Sequence, residues 1–250
     1  MKFNDASLQR ALSSDDDSYV NKPKLDSLKV KKDIDFPFEA IDFTPIWKKN
    51  LDLFMNGTRE NILNETAAWI QNGQHQNFWI TGDAGTGKTV TAAKVIEKNL
   101  NDNHLVAWHF CSHNNPTQNT ANEIIKSTSA MLISNLPGYK EALYKGDAAI
   151  NDTIMREKDV TKLFDFLFQQ PLKKMEAPKD KTGSLVRKML VFEAIDEIRE
   201  PHLGIFLDLI RDAQLPLWFG LFITSRRYDD ILTALSSKVN SDVALCGSND

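Results

Sequence analysis

Two cysteines, Cys111 and Cys246, are all that this 250-residue chain carries, too few for a disulfide framework. No apolar run reaches the roughly 18 residues of a membrane-spanning helix, and nothing near the N-terminus has the apolar core of a secretion signal. Without a secretory route the sequons Asn56-Gly57-Thr58, Asn64-Glu65-Thr66 and Asn151-Asp152-Thr153 are coincidental matches. A cytoplasmic location is therefore expected. Positive charge is not in excess either: 30 Lys and Arg against 34 Asp and Glu leave a net charge of −4. A basic footprint is missing, so nucleic acid is not the expected partner. No internal repeat is visible.

What the chain does have is 42% hydrophobic residues, enough for one α/β domain of ordinary size with an appendage. The most specific stretch is Phe78-Trp79-Ile80-Thr81 running into Gly82-Asp83-Ala84-Gly85-Thr86-Gly87-Lys88-Thr89. An apolar strand feeding G-x-x-x-x-G-K-[ST], with an amphipathic helix behind it, is the context of a phosphate-binding P-loop. Glycines let the backbone N–H groups close on a phosphate at angles that a Cβ forbids. Lys88 supplies a point charge for the β- and γ-phosphates, Thr89 a hydroxyl for Mg²⁺, and the helix N-terminus its positive end.

Two later stations suit the same site. Met189 to Glu193 is a buried-strand pattern ending in an acid, with Ala194-Ile195-Asp196-Glu197 behind it, and carboxylates so placed suit Mg²⁺ and an attacking water. Asp196 is favoured for that work, Glu197 being the alternative. Leu217 to Ile223 is a second buried strand, closing in Thr224-Ser225-Arg226. Between these stations the pattern alternates strand and helix as a doubly wound parallel sheet does. Strands are expected at 78–81, 105–111, 189–195 and 217–223. Helices are expected at 88–100, from Ala121 to Pro137, over 159–168, from Pro201, and near 229–236. The division is a polar, largely disordered leader (1–45), a helical lead-in (46–75) capped by Thr58, the P-loop core (76–238) and a disordered tail (239–250). Phe36 to Phe43 is the part of the leader apolar enough to pack on the core.

From about Arg59 to Ile231 the chain resembles the NACHT branch of the signal-transducing P-loop NTPases, nephrocystin-type domains above all. The resemblance is carried by Arg59-Glu60-Asn61-Ile62-Leu63, Ala68-Trp69-Ile70, the P-loop, Ala107-Trp108-His109-Phe110-Cys111-Ser112-His113, Leu163-Phe164, Gln170-Pro171-Leu172, Ala194-Ile195-Asp196-Glu197 and Thr224-Ser225-Arg226. The small residue after the first acid and the paired acids beyond it are distinctive of that family. The resemblance implies a nucleotide-dependent switch, and it implies that Arg226 is the sensor touching the γ-phosphate. It also implies helical and winged-helix modules after the core, so this chain is expected to be an isolated module or a piece of a longer receptor. One departure is Glu193, where the family has Asp. An extra methylene moves the carboxylate by more than Mg²⁺ tolerates directly, so binding is better supported than hydrolysis.

His109, Cys111 and His113 alternate as one face of a strand, but no fourth ligand follows at zinc-like spacing. Trp69 and Trp79 read as core aromatics. The reading is thus an ATP-binding switch module with Mg²⁺, GTP being the less favoured base because no Asn-Lys-x-Asp follows, and with weak or no turnover. A protein partner or self-association is expected. Two alternatives stand beside it: a degenerate, non-catalytic scaffold for protein–protein interaction, and a ring-forming remodelling ATPase.

Overall fold

The computed structural model describes residues 35–72, 76–145, 150–235 and 239–245. Within them the aromatic and β-branched runs form five parallel strands: β1 (Asn77–Gly82), β2 (Leu105–Phe110), β3 (Lys188–Glu193), β4 (Phe219–Ser225) and β5 (Val239–Leu245), in the order β2-β3-β4-β1-β5. Strands buried along their whole length, as β2, β3 and β4 are, read as apolar runs because helices cover both faces of the sheet.

The helices are α1 (Thr44–Leu51), α2 (Glu60–Asn72), α3 (Lys88–Asn101), α4 (Ala121–Asn135), α5 (Tyr139–Tyr144), α6 (Ile150–Arg156), α7 (Val160–Phe164), α8 (Gln170–Lys174), α9 (His202–Asp212) and α10 (Asp229–Leu235), with a π-helical turn at Asp165–Gln169 joining α7 to α8. From β1 the chain crosses by α3 to the far edge, then returns through β3 and β4 and passes β1 to reach β5. Right-handed crossovers in opposite directions place α3 on one face and α4, α9 and α10 on the other. The reversal opens a crevice at the C-terminal ends of the strands, where ligands of such sheets bind.

α3 buries Ala92, Ala93, Val95, Ile96 and Leu100 at helical spacing, and Trp47 ties α1 to it by donating to the Ala93 carbonyl at 2.9 Å. α4 opens on a Thr-x-x-Glu cap, the Thr120 hydroxyl accepting from the Glu123 N–H. Trp69 and Trp79 are core residues as expected. At the base of the sheet the Trp69 ring lies against Gly220 with the buried Arg187 guanidinium over it, 4.7 Å from the ring centre.

Several expectations need correcting. Residues 239–245 are not an irregular tail: β5 extends the sheet beside β1, and residues 246–250 lie outside the described ones. Of the leader, residues 1–34 lie outside the described ones; Phe36 and Phe43 are buried on the core as expected, but α1 begins at Thr44, inside the span assigned to the leader. Thr58 does not cap α2, because its hydroxyl donates to the Met55 carbonyl at 2.6 Å. β3 ends at Glu193, two residues early, because Ala194 turns into the left-handed region at φ 56°.

Candidate nucleotide-binding site

The loop Gly82 to Gly87 leaves β1 at its C-terminal end and enters α3 at Lys88. Gly85 and Gly87 hold φ of 80° and 86°, which a side chain adopts only under strain, so the glycine spacing of the motif is set by backbone geometry. Lys88 folds back over this loop. Its ammonium donates to the carbonyls of Gly82 at 2.7 Å and Asp83 at 2.8 Å. Burial holds its pKa below the ordinary value, partly offset by Asp196 and Glu193 nearby. The ammonium is thus held over the loop by two neutral carbonyls and by no direct carboxylate contact.

β4 separates the P-loop strand from the acid-bearing β3, and its polar ending stitches the two together. Thr224 Oγ1 accepts from the Ala194 N–H at 2.8 Å, which holds the left-handed turn that follows Glu193. Ser225 Oγ accepts from the Trp79 indole at 2.9 Å and donates to the Arg226 carbonyl. Of the triplet Thr224-Ser225-Arg226, then, the first two residues tie strands together and Arg226 alone points an exposed charge outward.

Glu193 is 3% exposed, and its Oε1 accepts from the Thr89 hydroxyl at 2.6 Å. Burial pushes its pKa up to about 7, opposed by the Thr89 hydrogen bond and raised further by Glu197 and Asp196. The extra methylene noted in the sequence carries the carboxylate directly to Thr89. The hydroxyl and the carboxylate thus stand side by side at 2.6 Å, against about 2.9 Å for neighbouring oxygens on an octahedral Mg²⁺, so both are of the donor type that ion takes and the buried acid lacks a full countercharge.

The paired acids part company. Asp196 meets Arg226 twice, through Nε at 3.1 Å and through the backbone N–H at 3.0 Å. Glu197 accepts from the backbone N–H of His113 at 3.2 Å, fastening the loop after β2 to the short 3₁₀ turn Ile195–Glu197. His109 is buried, with its pKa lowered to about 4 by burial, and its Nε2 lies 3.2 Å from the Gln118 carbonyl. Its ring stands edge-on to Phe43 at 4.9 Å. Cys111 is buried and His113 exposed beyond the strand, and no group of three His, Cys, Asp or Glu among the described residues is arranged to hold a metal ion.

Sequence reasoning gave no role to Arg59. It sits just before α2 and reaches across to donate to the Thr86 carbonyl at 2.9 Å, gripping the P-loop from outside. The α1–α2 loop that carries it exposes Leu53 and Met55. Arg59 opens the first of the motifs that carry the family resemblance, but nothing in that motif points to a contact 27 residues away.

A family model described as nephrocystin 3, N-terminal, matches residues 57–226, a span that runs from the α1–α2 loop to Arg226. No curated protein matches the chain. Among solved structures the chain is similar to the Aeropyrum pernix ORC1 protein in complex with DNA, at 15% identity and a TM-score of 0.47, covering 76% of this chain and 45% of that one. It therefore spans less than half the length of that protein. The expectation that nucleic acid is not a partner is withdrawn: this neighbour was solved on DNA, and a chain-wide charge of −4 says nothing about a local surface. No helix among the described residues is long and apolar enough to cross a membrane.

Proposed function

Because the chain belongs to the nephrocystin 3, N-terminal family, whose P-loop nucleotide-binding fold it carries, we propose that it is an ATP-binding switch module of the NACHT type acting in the cytoplasm. The observation that carries this reading is the convergence, at the C-terminal ends of the three central strands, of the P-loop, the Thr89–Glu193 pair and Arg226. P-loop amides and Lys88 would cradle the β-phosphate, with Arg59 bracing the loop from behind. Thr89 and Glu193 would hold Mg²⁺, which when bound neutralises the β- and γ-phosphate oxygens.

Binding is favoured over fast turnover. Both Asp196 oxygens are engaged by Arg226, whereas Glu197 gives only Oε2 to the His113 N–H, so Asp196 is committed to the arginine and any polarising of a water falls to Glu197. A bound triphosphate would then persist as a state rather than be consumed quickly, as a switch requires. Titrating ATP and GTP calorimetrically into the purified chain, with Mg²⁺ and with EDTA, tests the reading. Micromolar ATP binding that weakens without Mg²⁺ supports it, and no heat from either nucleotide removes it.

A further inference from the structure

The loop after β2 meets the turn after β3 through its backbone. The His113 N–H donates to Glu197 Oε2 at 3.2 Å, and the His113 carbonyl accepts from Asn119 Nδ2 at 2.5 Å. Asn119 in turn gives its own carbonyl to the Arg199 N–H at 3.0 Å, two residues past Glu197. One buried residue therefore closes the loop on itself and clips it to the chain just beyond the acid. The next residue, Thr120, caps α4 by accepting from the Glu123 N–H, so the clip is rooted in a helix of 15 residues rather than in the loop alone.

Asn119 is 2% exposed, and its Oδ1 has no hydrogen-bond partner among the described residues. The amide is oriented by its donor end only: turned over, it would set Oδ1 against the His113 carbonyl. Glu197 is likewise held at one oxygen. Its backbone N–H donates to the Ala194 carbonyl at 2.9 Å within the 3₁₀ turn. Oε2 accepts from His113, and Oε1 has no hydrogen-bond partner among the described residues. The turn follows Glu193, whose Oε1 touches Thr89, so this acid stands at the same ends of the strands as the P-loop. A half-buried glutamate keeps its rotamer freedom unless a contact removes it, and the His113 N–H is that contact.

We propose that Asn119 is a positioning residue for hydrolysis of a bound nucleoside triphosphate. By holding the loop on His113 it fixes the N–H that orients Glu197, whose Oε1 then takes a proton from the attacking water. This rests on the nucleotide-binding reading above. The water oxygen bonds to the terminal phosphorus, and the bond from that phosphorus to the bridging oxygen breaks. The diphosphate leaves with the electron pair while the proton passes to Oε1. Asn119 acts only through His113 and Glu197, and it belongs to none of the motifs that carry the family resemblance.

The test follows release of labelled phosphate from γ-labelled ATP with Mg²⁺ in single turnovers, with ATP affinity by calorimetry. It compares the wild-type chain, Asn119→Ala, Glu197→Gln and the double variant. Slow release is expected from the wild type. Glu197→Gln keeps the shape but cannot take the proton, and should slow release about a hundredfold or more. Asn119→Ala should slow it about tenfold through a displaced acid. ATP affinity should stay nearly constant throughout. The double variant should be no slower than Glu197→Gln, because Asn119 acts through that acid. Losses that multiply in the double variant would make Asn119 a structural residue and overturn the proposal. So would Asn119→Ala weakening ATP binding as much as it slows release, or unchanged release in either single variant. Asn119→Asp, which keeps the shape and lacks the donor when ionised, takes the place of Asn119→Ala if the latter does not fold. A wild type that binds ATP but releases no phosphate overturns this inference only; one that binds no nucleotide overturns the nucleotide reading with it.

Discussion

Glu193 is where the chemistry of the site should show in the stability of the empty protein. Its carboxyl is 3% exposed, and burial raises its pKa from an ordinary 4.5 to about 7. An acid whose folded pKa is raised gives stability that is complete below the unfolded pKa and is lost as pH rises through the folded one. The window therefore runs from about pH 4.5 to 7, and 2.5 units correspond to about 3 kcal/mol at most. Glu193→Gln keeps an acceptor for the Thr89 hydroxyl and cannot ionise. The variant should match the wild type near pH 4 and exceed it by about 2–3 kcal/mol at pH 8. Urea denaturation in EDTA, without nucleotide, measures this at both pH values. Subtracting the variant from the wild type matters, since His109, with its pKa lowered to about 4, titrates in the opposite sense. Parallel pH profiles for the two proteins would mean that the buried carboxylate is fully compensated, and the reasoning would be wrong.

Two other perturbations follow from the same geometry. Arg59→Ala removes the brace on the Thr86 carbonyl and should weaken ATP binding about threefold to tenfold while leaving the urea midpoint nearly unchanged; equal ATP affinity would show that the brace is incidental. Gly220→Ala places a Cβ 2.6 Å from the Trp69 ring and 2.9 Å from Arg187 Nε, overpacking that should cost about 1–3 kcal/mol by urea denaturation. A neutral result would show that the Trp69–Arg187 stack slides aside freely.

The parts of the site that were legible in the sequence are those whose chemistry is fixed by neighbours along the chain. Gly85, Gly87, Lys88 and Thr89 must follow one another to make a phosphate loop, so their spacing alone located it. Glu193 was found for the same reason, at the end of a buried run. Contacts that depend on strand order were not legible. Which of Asp196 and Glu197 faces Arg226 is decided by the 3₁₀ turn after Ala194, whose φ of 56° breaks the strand. Arg59 reaches Thr86 across the fold, with no periodicity to announce it. β5 was missed because Val239-Asn240-Ser241-Asp242-Val243-Ala244-Leu245 has polar residues where a buried parallel strand has apolar ones. Pairing with β1 makes it a strand where local propensity does not.

The central claim is that this chain holds a nucleotide through Lys88 and the P-loop, and one substitution addresses it directly. Lys88→Ala removes the charge from the phosphates while deleting only two hydrogen bonds to the loop's own carbonyls. Calorimetric titration of ATP with Mg²⁺ into both proteins, with circular dichroism to establish that each is folded, should give binding to the wild type and none to the variant. Equal affinities in two folded proteins would contradict the account.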